Sequence, residues 1–281
     1  MPYANTDGIE LYYEEAGDPD DPVLVLISGG GAQLISWPEE LVARLVGEGL
    51  RVVRFDNRDT GRSQRFGGPE DVDGGYQLAD LAGDVVRVLD RLGVEAAHLV
   101  GHSMGGMMAQ VVALDQPRRV RSLGLLSTLP GRDPRYVLRG ERPELLSPPP
   151  PRYSRDEVVA AAREYARSAP GRYDPQVEWH AWAAGEAYDR GYAPDGFARQ
   201  WAALLRAPER LERLRGVTVP TLVLHGRDDD VVHWSAAVDL AEAIEGSELQ
   251  VHPGMGHLIP WELWPDIVAA IVRTTQRAEE P

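Results

Sequence analysis

Short apolar runs of strand length recur along the chain and alternate with segments of helical period. The runs are rich in Val and Leu and are bounded by Gly, Asp or Pro, as buried parallel strands usually are. They lie at Val23–Ile27, Arg51–Phe55, 98–100, 123–126 and 221–224. The helical segments lie at 38–46, Leu78–Leu92, Met104–Asp115, 235–244 and 261–275. This alternation predicts an α/β fold with a doubly wound, mostly parallel sheet.

Three local features refine this fold prediction. An N-terminal pair, around Tyr3 and residues 10–16, alternates more loosely, as an antiparallel edge hairpin would. Gly93 follows a helical segment directly and is expected to be its C-cap. From residue 130 to about 215 no strand is readable, and the sequence is helical and aromatic. We therefore expect a core at 1–129, a helical cap at 130–215 and the rest of the core at 216–281.

Composition excludes several classes of function. The 281 residues contain no cysteine, which rules out disulfides, thiolate catalysis and zinc–thiolate sites. A net charge of −15 argues against nucleic acid and anionic membranes as partners. No secretory signal is visible, and the longest apolar runs are far shorter than a membrane helix. We expect a cytoplasmic protein that acts on a small molecule; nothing in the sequence predicts its oligomeric state.

The strongest chemical signal is Gly-His-Ser-Met-Gly at residues 101–105, which has the form G-x-S-x-G. It follows a predicted strand and opens a predicted helix, which is the context that this motif requires. A sharp turn there lifts the serine hydroxyl clear of the sheet, and only glycine fits beside it. Ser103 is therefore the candidate nucleophile.

A serine hydroxyl needs a base within reach and a third group that holds the base. His257 lies in a glycine-rich loop after the last predicted strand, at the carboxyl edge of the sheet where ligands bind. It is the candidate base. His102 neighbours the serine, and its side chain is expected to point away. Four further histidines are predicted to be structural or lie in the insertion: His98, His180, His225 and His252.

The third group should follow the strand at 221–224. Three consecutive acids stand there, Asp228, Asp229 and Asp230, and the residues alone do not choose among them. The negative charge of a tetrahedral intermediate also needs donors. One should be the N–H of Met104, at the start of a helix, and the second should come from the glycine run at 29–31.

These motifs resemble the α/β-hydrolase superfamily, whose triads follow the chain order Ser, Asp, His. The resemblance covers nearly the whole chain and implies an eight-stranded sheet with a variable cap. The run at 225–229 is similar to the family's His-Gly-x-x-Asp, which implies that Asp229 is the triad acid. Residues 28–30 correspond to the family's His-Gly-x, with Ser28 in place of histidine, which implies that Gly30 gives the second oxyanion amide. The family needs no metal or organic cofactor for this chemistry.

A closer likeness is carried by the stretch Asp-Asn-Arg-Asp-Thr-Gly-Arg-Ser at 56–63, the glycine run and Trp37. Together they are similar to the aclacinomycin methylesterase group of polyketide pathways, which removes a methyl group from a carbomethoxy substituent. Proline iminopeptidases are also relatives, but their usual Gly-Gly-Pro-Gly loop differs from Gly-Gly-Gly-Ala here. Haloalkane dehalogenases and many epoxide hydrolases use an aspartate nucleophile, which Ser103 excludes.

The sequence thus predicts a serine hydrolase that cleaves a carboxylic ester, such as a methyl ester or lactone of a hydrophobic or aromatic small molecule. Trp179, Trp182 and Trp201 of the predicted cap are candidate substrate-binding residues, although cap aromatics often form only the cap's own core. Alternatives stay open: a non-hydrolytic biosynthetic enzyme, a ligand receptor, a cofactor-free perhydrolase, or an iminopeptidase-type peptidase. The peptidase would need an acidic pocket, for which Glu178 and Glu186 are the candidates.

Overall fold

One mixed sheet runs through the protein. The structure is a computed structural model that describes residues 2–68, 70–137 and 152–279. The strands that it describes are β1 (Tyr3–Thr6), β2 (Ile9–Ala16), β3 (Val23–Ile27), β4 (Arg51–Phe55), β5 (Ala97–His102), β6 (Val120–Leu126), β7 (Thr221–Gly226) and β8 (Glu248–His252). They form an eight-stranded sheet in the order β1-β2-β4-β3-β5-β6-β7-β8. β2 is antiparallel to β1 and β4, and the other neighbours are parallel. The predicted fold class is confirmed.

The helices in the described residues flank the sheet or lie between β6 and β7. Those that flank the sheet are α1 (Glu39–Gly47), α2 (Leu78–Leu92), α3 (Met104–Asp115), α8 (Ser235–Ala243) and α9 (Trp264–Arg277). Those between β6 and β7 are α4 (Arg155–Ser168), α5 (Val177–Gly191), α6 (Gly196–Leu205) and α7 (Leu211–Leu214). No helix among residues 2–68, 70–137 and 152–279 has the length and apolar character needed to cross a membrane.

Both faces of the sheet are covered, because the side chains of its central strands alternate between two apolar clusters. In β3, Val23, Val25 and Ile27 belong to the cluster completed by α2, α3 and α8. Leu24 and Leu26 belong to the cluster completed by α1 and α9. All five residues of this strand are buried. A strand buried on both faces reads as a continuous apolar run, which explains why its bounds were predictable.

The ends of α2 are set by local sequence. Asp80 in its first turn accepts a hydrogen bond from the Gln77 N–H through Oδ2, at 2.8 Å. Gly93 follows the helix with φ of 67°, in the left-handed region that ends helices. The predicted C-cap is therefore confirmed.

The helices α4, α5 and α6, here called the inserted helices, lie between β6 and β7 in the chain. No strand occurs among the described residues of 130–215, which are 130–137 and 152–215. The other residues of the predicted cap, 138–151, lie outside the described residues. Among the inserted helices, α5 packs against α4. Helix α6 lies on the glycine run after β3, because its Phe197 contacts Gly30 and Gly31. The inserted helices therefore lie next to the edge of the sheet that carries the predicted nucleophile.

A titratable side chain is buried in the middle of the sheet. His98 on β5 is fully buried, and its Nδ1 lies 2.8 Å from Ser122 Oγ on β6. Burial is the main cause that lowers the pKa of His98 to about 4, although Glu279 acts in the opposite direction. The unfolded chain binds a proton here below about pH 6.5. The folded chain does not until the pH approaches 4, so the stability of the protein should fall as the pH drops through this window.

His98→Asn is expected to flatten this pH dependence. The asparagine amide can keep a hydrogen bond to Ser122 Oγ but carries no titrating group. Between pH 6.5 and 4 the free energy of unfolding of the wild type should therefore fall by about 3 kcal/mol more than that of the variant. Urea unfolding of both proteins across this range gives the two curves. Parallel curves would contradict a histidine that is held neutral by the fold.

Candidate active site

Ser103, the predicted nucleophile, sits at the sharp turn between β5 and α3. Its backbone has φ 55° and ψ −119°, a conformation that costs a residue with a side chain on the order of 1–3 kcal/mol. A Cβ on Gly101 would lie 2.2 Å from the Gly105 carbonyl, and a Cβ on Gly105 would lie 2.1 Å from Ile27 O. The glycines of the G-x-S-x-G run are thus required because neighbouring backbone fills the space that a side chain would need.

The predicted base and acid meet in a hydrogen bond. Asp229 lies in the loop after β7, and His257 lies in the loop between β8 and α9. His257 Nδ1 is 2.8 Å from Asp229 Oδ2. The other carboxylate oxygen, Oδ1, accepts hydrogen bonds from the N–H groups of Val231 and Val232 at 2.8 and 2.9 Å. These contacts fix the carboxylate, so the ring that it holds is fixed as well.

Asp229 is the buried member of the three consecutive acids, with 2% of its surface exposed, whereas Asp228 is exposed. Burial alone would raise the pKa of Asp229. Electrostatic attraction to His257 and the hydrogen bonds from His225 and His257 outweigh burial, and they hold this pKa well below its usual range. Asp229 is therefore ionised at neutral pH. His225, predicted to be structural, contributes to this because its Nε2 lies 3.2 Å from Asp229 Oδ2.

Ser103 and His257 line the same cavity. No hydrogen bond joins Ser103 Oγ to His257 Nε2 among those of the described residues, and such bonds often tighten only when substrate binds.

The sequence predicts that the side chain of His102 points away from the site, and this prediction is wrong. Its Nε2 lies 2.9 Å from the backbone oxygen of His257, and the two rings are 4.8 Å apart. Gly101 of β5 packs against the first turn of α3. Because successive side chains of a strand point to opposite sides, His102 points away from α3 and faces the loop that carries His257. Burial, and next to it the electrostatic interaction with the His257 ring, lower the pKa of His102 to about 3. His102 is therefore neutral and donates its Nε2–H to the His257 carbonyl, which steadies the loop of the base.

One predicted oxyanion amide, that of Met104, directly follows the serine, and the other, that of Gly30, belongs to the glycine run. A Cβ on Gly29 would lie 3.4 Å from Ser103 Cβ, so the glycine run passes directly beside Ser103. Gly30 lines the cavity, and no hydrogen bond uses its N–H among those of the described residues. Met104 is the first residue of α3, where an N–H has no partner within the helix. Both amides are thus available to an oxygen atom bound next to Ser103.

A cavity of about 520 Å³ lies beside Ser103 and His257. Its aromatic lining residues are Trp37, Tyr165, Tyr173, Trp179, Trp261 and Trp264.

Of the three tryptophans predicted to bind substrate, only Trp179 lines the cavity. Trp182 lies on the outer side of α5 with 58% of its surface exposed, and Trp201 packs with Phe197, at 5.7 Å between ring centroids. Two of the lining tryptophans stand at the start of α9: Trp261 lies just before the helix, and Trp264 is its first residue.

The stretch 56–63 forms a buried polar network outside the cavity. Asp56 pairs with Arg190 of α5 at 3.3 Å, and Asp59 pairs with Arg199 of α6 at 2.7 Å. Both carboxylates are essentially inaccessible to solvent. This stretch therefore ties the inserted helices to the core, and its part in the site is architectural.

Metal-ligating side chains do not cluster in the part of the chain that the structure describes. No group of three or more His, Cys, Asp or Glu side chains there is placed to hold an ion. The expectation of a cofactor-free site stays a prediction.

Comparison with known proteins identifies the family. The profile of the α/β-hydrolase fold family matches residues 22–262, most of the chain. The chain belongs to the α/β-hydrolase fold family. This hydrolase is 32% identical to rhodomycin D methylesterase of Streptomyces peucetius, over 97% of both chains. It is 34% identical to a putative carbamate hydrolase of Variovorax paradoxus, over 88% of this chain and 89% of that one.

Solved structures agree with this assignment. A hydrolase from Pseudomonas aeruginosa matches the α/β-hydrolase with a TM-score of 0.75 and 28% identity, over 97% of both chains. The predicted likeness to methylesterases and the prediction of an ester-hydrolysing α/β-hydrolase are confirmed.

Proposed function

We propose that this α/β-hydrolase cleaves a carboxylic ester of a hydrophobic or aromatic small molecule through an acyl-enzyme on Ser103. His257 is the general base, and Asp229 orients it. The observation that carries the proposal is the 2.8 Å contact between His257 Nδ1 and Asp229 Oδ2, made beside a cavity that Ser103 also lines. A serine becomes a strong nucleophile when a base that a third group holds can take its proton.

The reaction follows from these roles. Ser103 Oγ attacks the ester carbonyl carbon while His257 takes the hydroxyl proton. The N–H groups of Gly30 and Met104 stabilise the oxyanion, and His257 then gives its proton to the leaving alkoxide. Water repeats the sequence on the acyl-enzyme and releases the acid. Because Asp229 stays ionised, it stabilises the imidazolium and fixes the tautomer that leaves Nε2 free to act as a base.

The cavity supports an aromatic or hydrophobic acyl group. Trp179 of α5 and Trp261 meet edge to face, with ring centroids 6.0 Å apart, and present apolar surface to the cavity. The methylesterase relative favours a methyl ester. Residues 130–215 are the proposed cap, and its described helices α4 and α5 contribute to the lining of the cavity. The carbamate hydrolase relative makes a carbamate the second candidate, since the same serine could attack its carbonyl.

One acidic residue among the described ones lines the cavity, Asp174, which is exposed and accepts a hydrogen bond from the Gln176 N–H through Oδ1 at 2.9 Å. Glu178 pairs with Arg163 at 2.9 Å on the protein surface, with 73% of its side chain exposed. Neither Glu178 nor Glu186 lines the cavity. The two glutamates that the iminopeptidase-type alternative would need are therefore not placed to hold a substrate amine.

Trp179→Ala tests the proposed substrate class. On methyl 2-naphthoate the variant is expected to raise KM about tenfold, because a large aromatic contact with the acyl group is lost. On methyl acetate, whose acyl group has no aromatic ring to pack on the indole, KM should stay unchanged. Steady-state kinetics of hydrolysis on both esters, and on the matching naphthyl carbamate, ranks the candidates.

Trp182→Ala is the matched control, because it removes the same side chain from the same helix on the exposed side. It should leave both KM values unchanged. Equal effects of the two variants would contradict a role for Trp179 in holding the acyl group, and faster turnover of the carbamate would favour the second candidate.

A further inference from the structure

We propose that Gln200 of the inserted helix α6 is a positioning residue that holds the oxyanion loop, residues 28–31, in its working shape. The inference rests on the proposed function, in which the Gly30 N–H binds the oxyanion. It gives α6 a role in transition-state stabilisation, although Gln200 itself touches no reacting atom.

The side chain of Gln200 bridges two backbone segments. Its Oε1 accepts a hydrogen bond from the Gly31 N–H at 2.7 Å, and its Nε2 donates to the Arg58 carbonyl at 2.8 Å. The residue is fully buried. One partner can only donate and the other can only accept, so a single orientation of the amide satisfies both. Gln200 therefore acts as a clamp: it holds the two backbone segments together, and its amide can do so in one orientation only.

The oxyanion loop needs such a clamp because glycine backbones are conformationally free. The peptide group between Gly30 and Gly31 is planar, so fixing the Gly31 N–H also fixes the Gly30 carbonyl. Phe197, on the same helix as Gln200, closes the other side, since a Cβ on Gly30 would lie 2.6 Å from its ring. With the Gly31 amide engaged by Gln200, the Gly30 amide is left for the oxyanion.

The far end of the clamp is anchored in the core. Arg58 is almost completely buried and makes two hydrogen bonds of 2.6 Å to Asp84 of α2. The helix that carries Gln200 is held independently through Arg199 and Asp59, at 2.7 Å. The oxyanion loop is thus connected through Gln200 to a fixed frame of buried ion pairs, which is the arrangement that a preorganised donor requires.

Gln200→Met keeps the length of the side chain and removes both hydrogen bonds. We expect kcat on an aromatic methyl ester to fall roughly 10- to 100-fold, because a misaligned donor loses much of the effect of an oxyanion amide. KM and the affinity for the carboxylic acid product should stay within twofold. The affinity for a trifluoromethyl ketone analogue of the substrate, which forms a tetrahedral adduct with the serine, should fall by the same factor as kcat.

Gln110→Met is the matched control. Gln110 is also fully buried and also uses both ends of its amide, donating to the Leu129 carbonyl and accepting from Arg210, but at 3.3 and 3.1 Å and away from the oxyanion loop. It should lower stability without changing kcat or the affinity for the ketone. Equal ketone affinity for wild type and Gln200→Met would overturn the inference. A ketone that fails to inhibit the wild type would instead count against the proposed function.

Gln200→Glu keeps the proposal testable if the methionine variant does not fold. A buried carboxyl group without a cation stays protonated to unusually high pH. In its acid form it can accept from Gly31 and donate to the Arg58 carbonyl, whereas the carboxylate cannot donate. The kcat of this variant, divided by the wild-type kcat at each pH, should rise as the pH is lowered from about 9 to about 6. A flat ratio far below one would contradict the clamp.

Discussion

Ser103→Ala is expected to lower kcat by about 10⁶, because the nucleophile and its base act as a unit. The remaining site still binds the ester and still offers the amides of Gly30 and Met104, so residual turnover above the uncatalysed rate is expected, with KM little changed. Steady-state assays on an aromatic methyl ester, with enzyme free of wild-type contamination, measure the loss.

Ser127→Ala controls for the effect of losing a buried hydroxyl at a strained turn. Ser127 is fully buried, has φ of 45°, and follows β6 as Ser103 follows β5. Its backbone N–H donates to Leu224 O at 2.9 Å, much as that of Ser103 donates to Leu126 O at 2.9 Å. Ser127→Ala should keep kcat close to the wild-type value. A Ser103→Ala variant that retains more than about 1% of wild-type kcat would show that another group is the nucleophile.

Asp229→Asn is expected to lower kcat by about 10⁴. The asparagine oxygen can still accept from the amides of Val231 and Val232, so the loop should keep its shape. Its NH₂ group, however, would then face His257 Nδ1 and favour the tautomer in which Nε2 carries the proton. That tautomer cannot take the proton of Ser103, and the loss should therefore appear in kcat while the melting temperature changes little.

Asp228→Asn tests the choice among the three consecutive acids. Asp228 is exposed, and its neutralisation removes the same charge one residue away. It should leave kcat within about twofold of the wild type, as is usual for an exposed surface charge. If Asp228→Asn were as damaging as Asp229→Asn, the two effects would reflect the charge of the loop and not the orientation of His257.

The parts of the fold that were predictable are those that local sequence determines. The predicted bounds of Val23–Ile27 and Leu78–Leu92 match the structure, because burial on two faces, or a helical stripe with its C-cap, leaves a clear pattern. The elements 98–100 and 123–126 were predicted too short. The structure extends them to Ala97–His102 and Val120–Leu126, where polar residues and glycine interrupt the apolar run.

The features that were not predictable depend on contacts between distant parts of the chain. The bond between Gln200 and Gly31 joins residues 169 positions apart, and no local pattern marks that glutamine. The placement of Trp182 and Trp201 outside the cavity depends on how α5 and α6 pack. For His102, the alternation of side chains along β5 was a usable signal, since a residue next to a packed glycine faces the opposite side.

Labelling with a fluorophosphonate shows whether Ser103 is an activated nucleophile. The reagent phosphonylates a serine that a neighbouring base activates, and peptide mass spectrometry locates the adduct. We expect one label per chain, on the peptide that contains Ser103, and labelling slowed by orders of magnitude in Asp229→Asn. If the wild type turns over esters but carries no label on Ser103, or carries it on another residue, Ser103 is not the nucleophile.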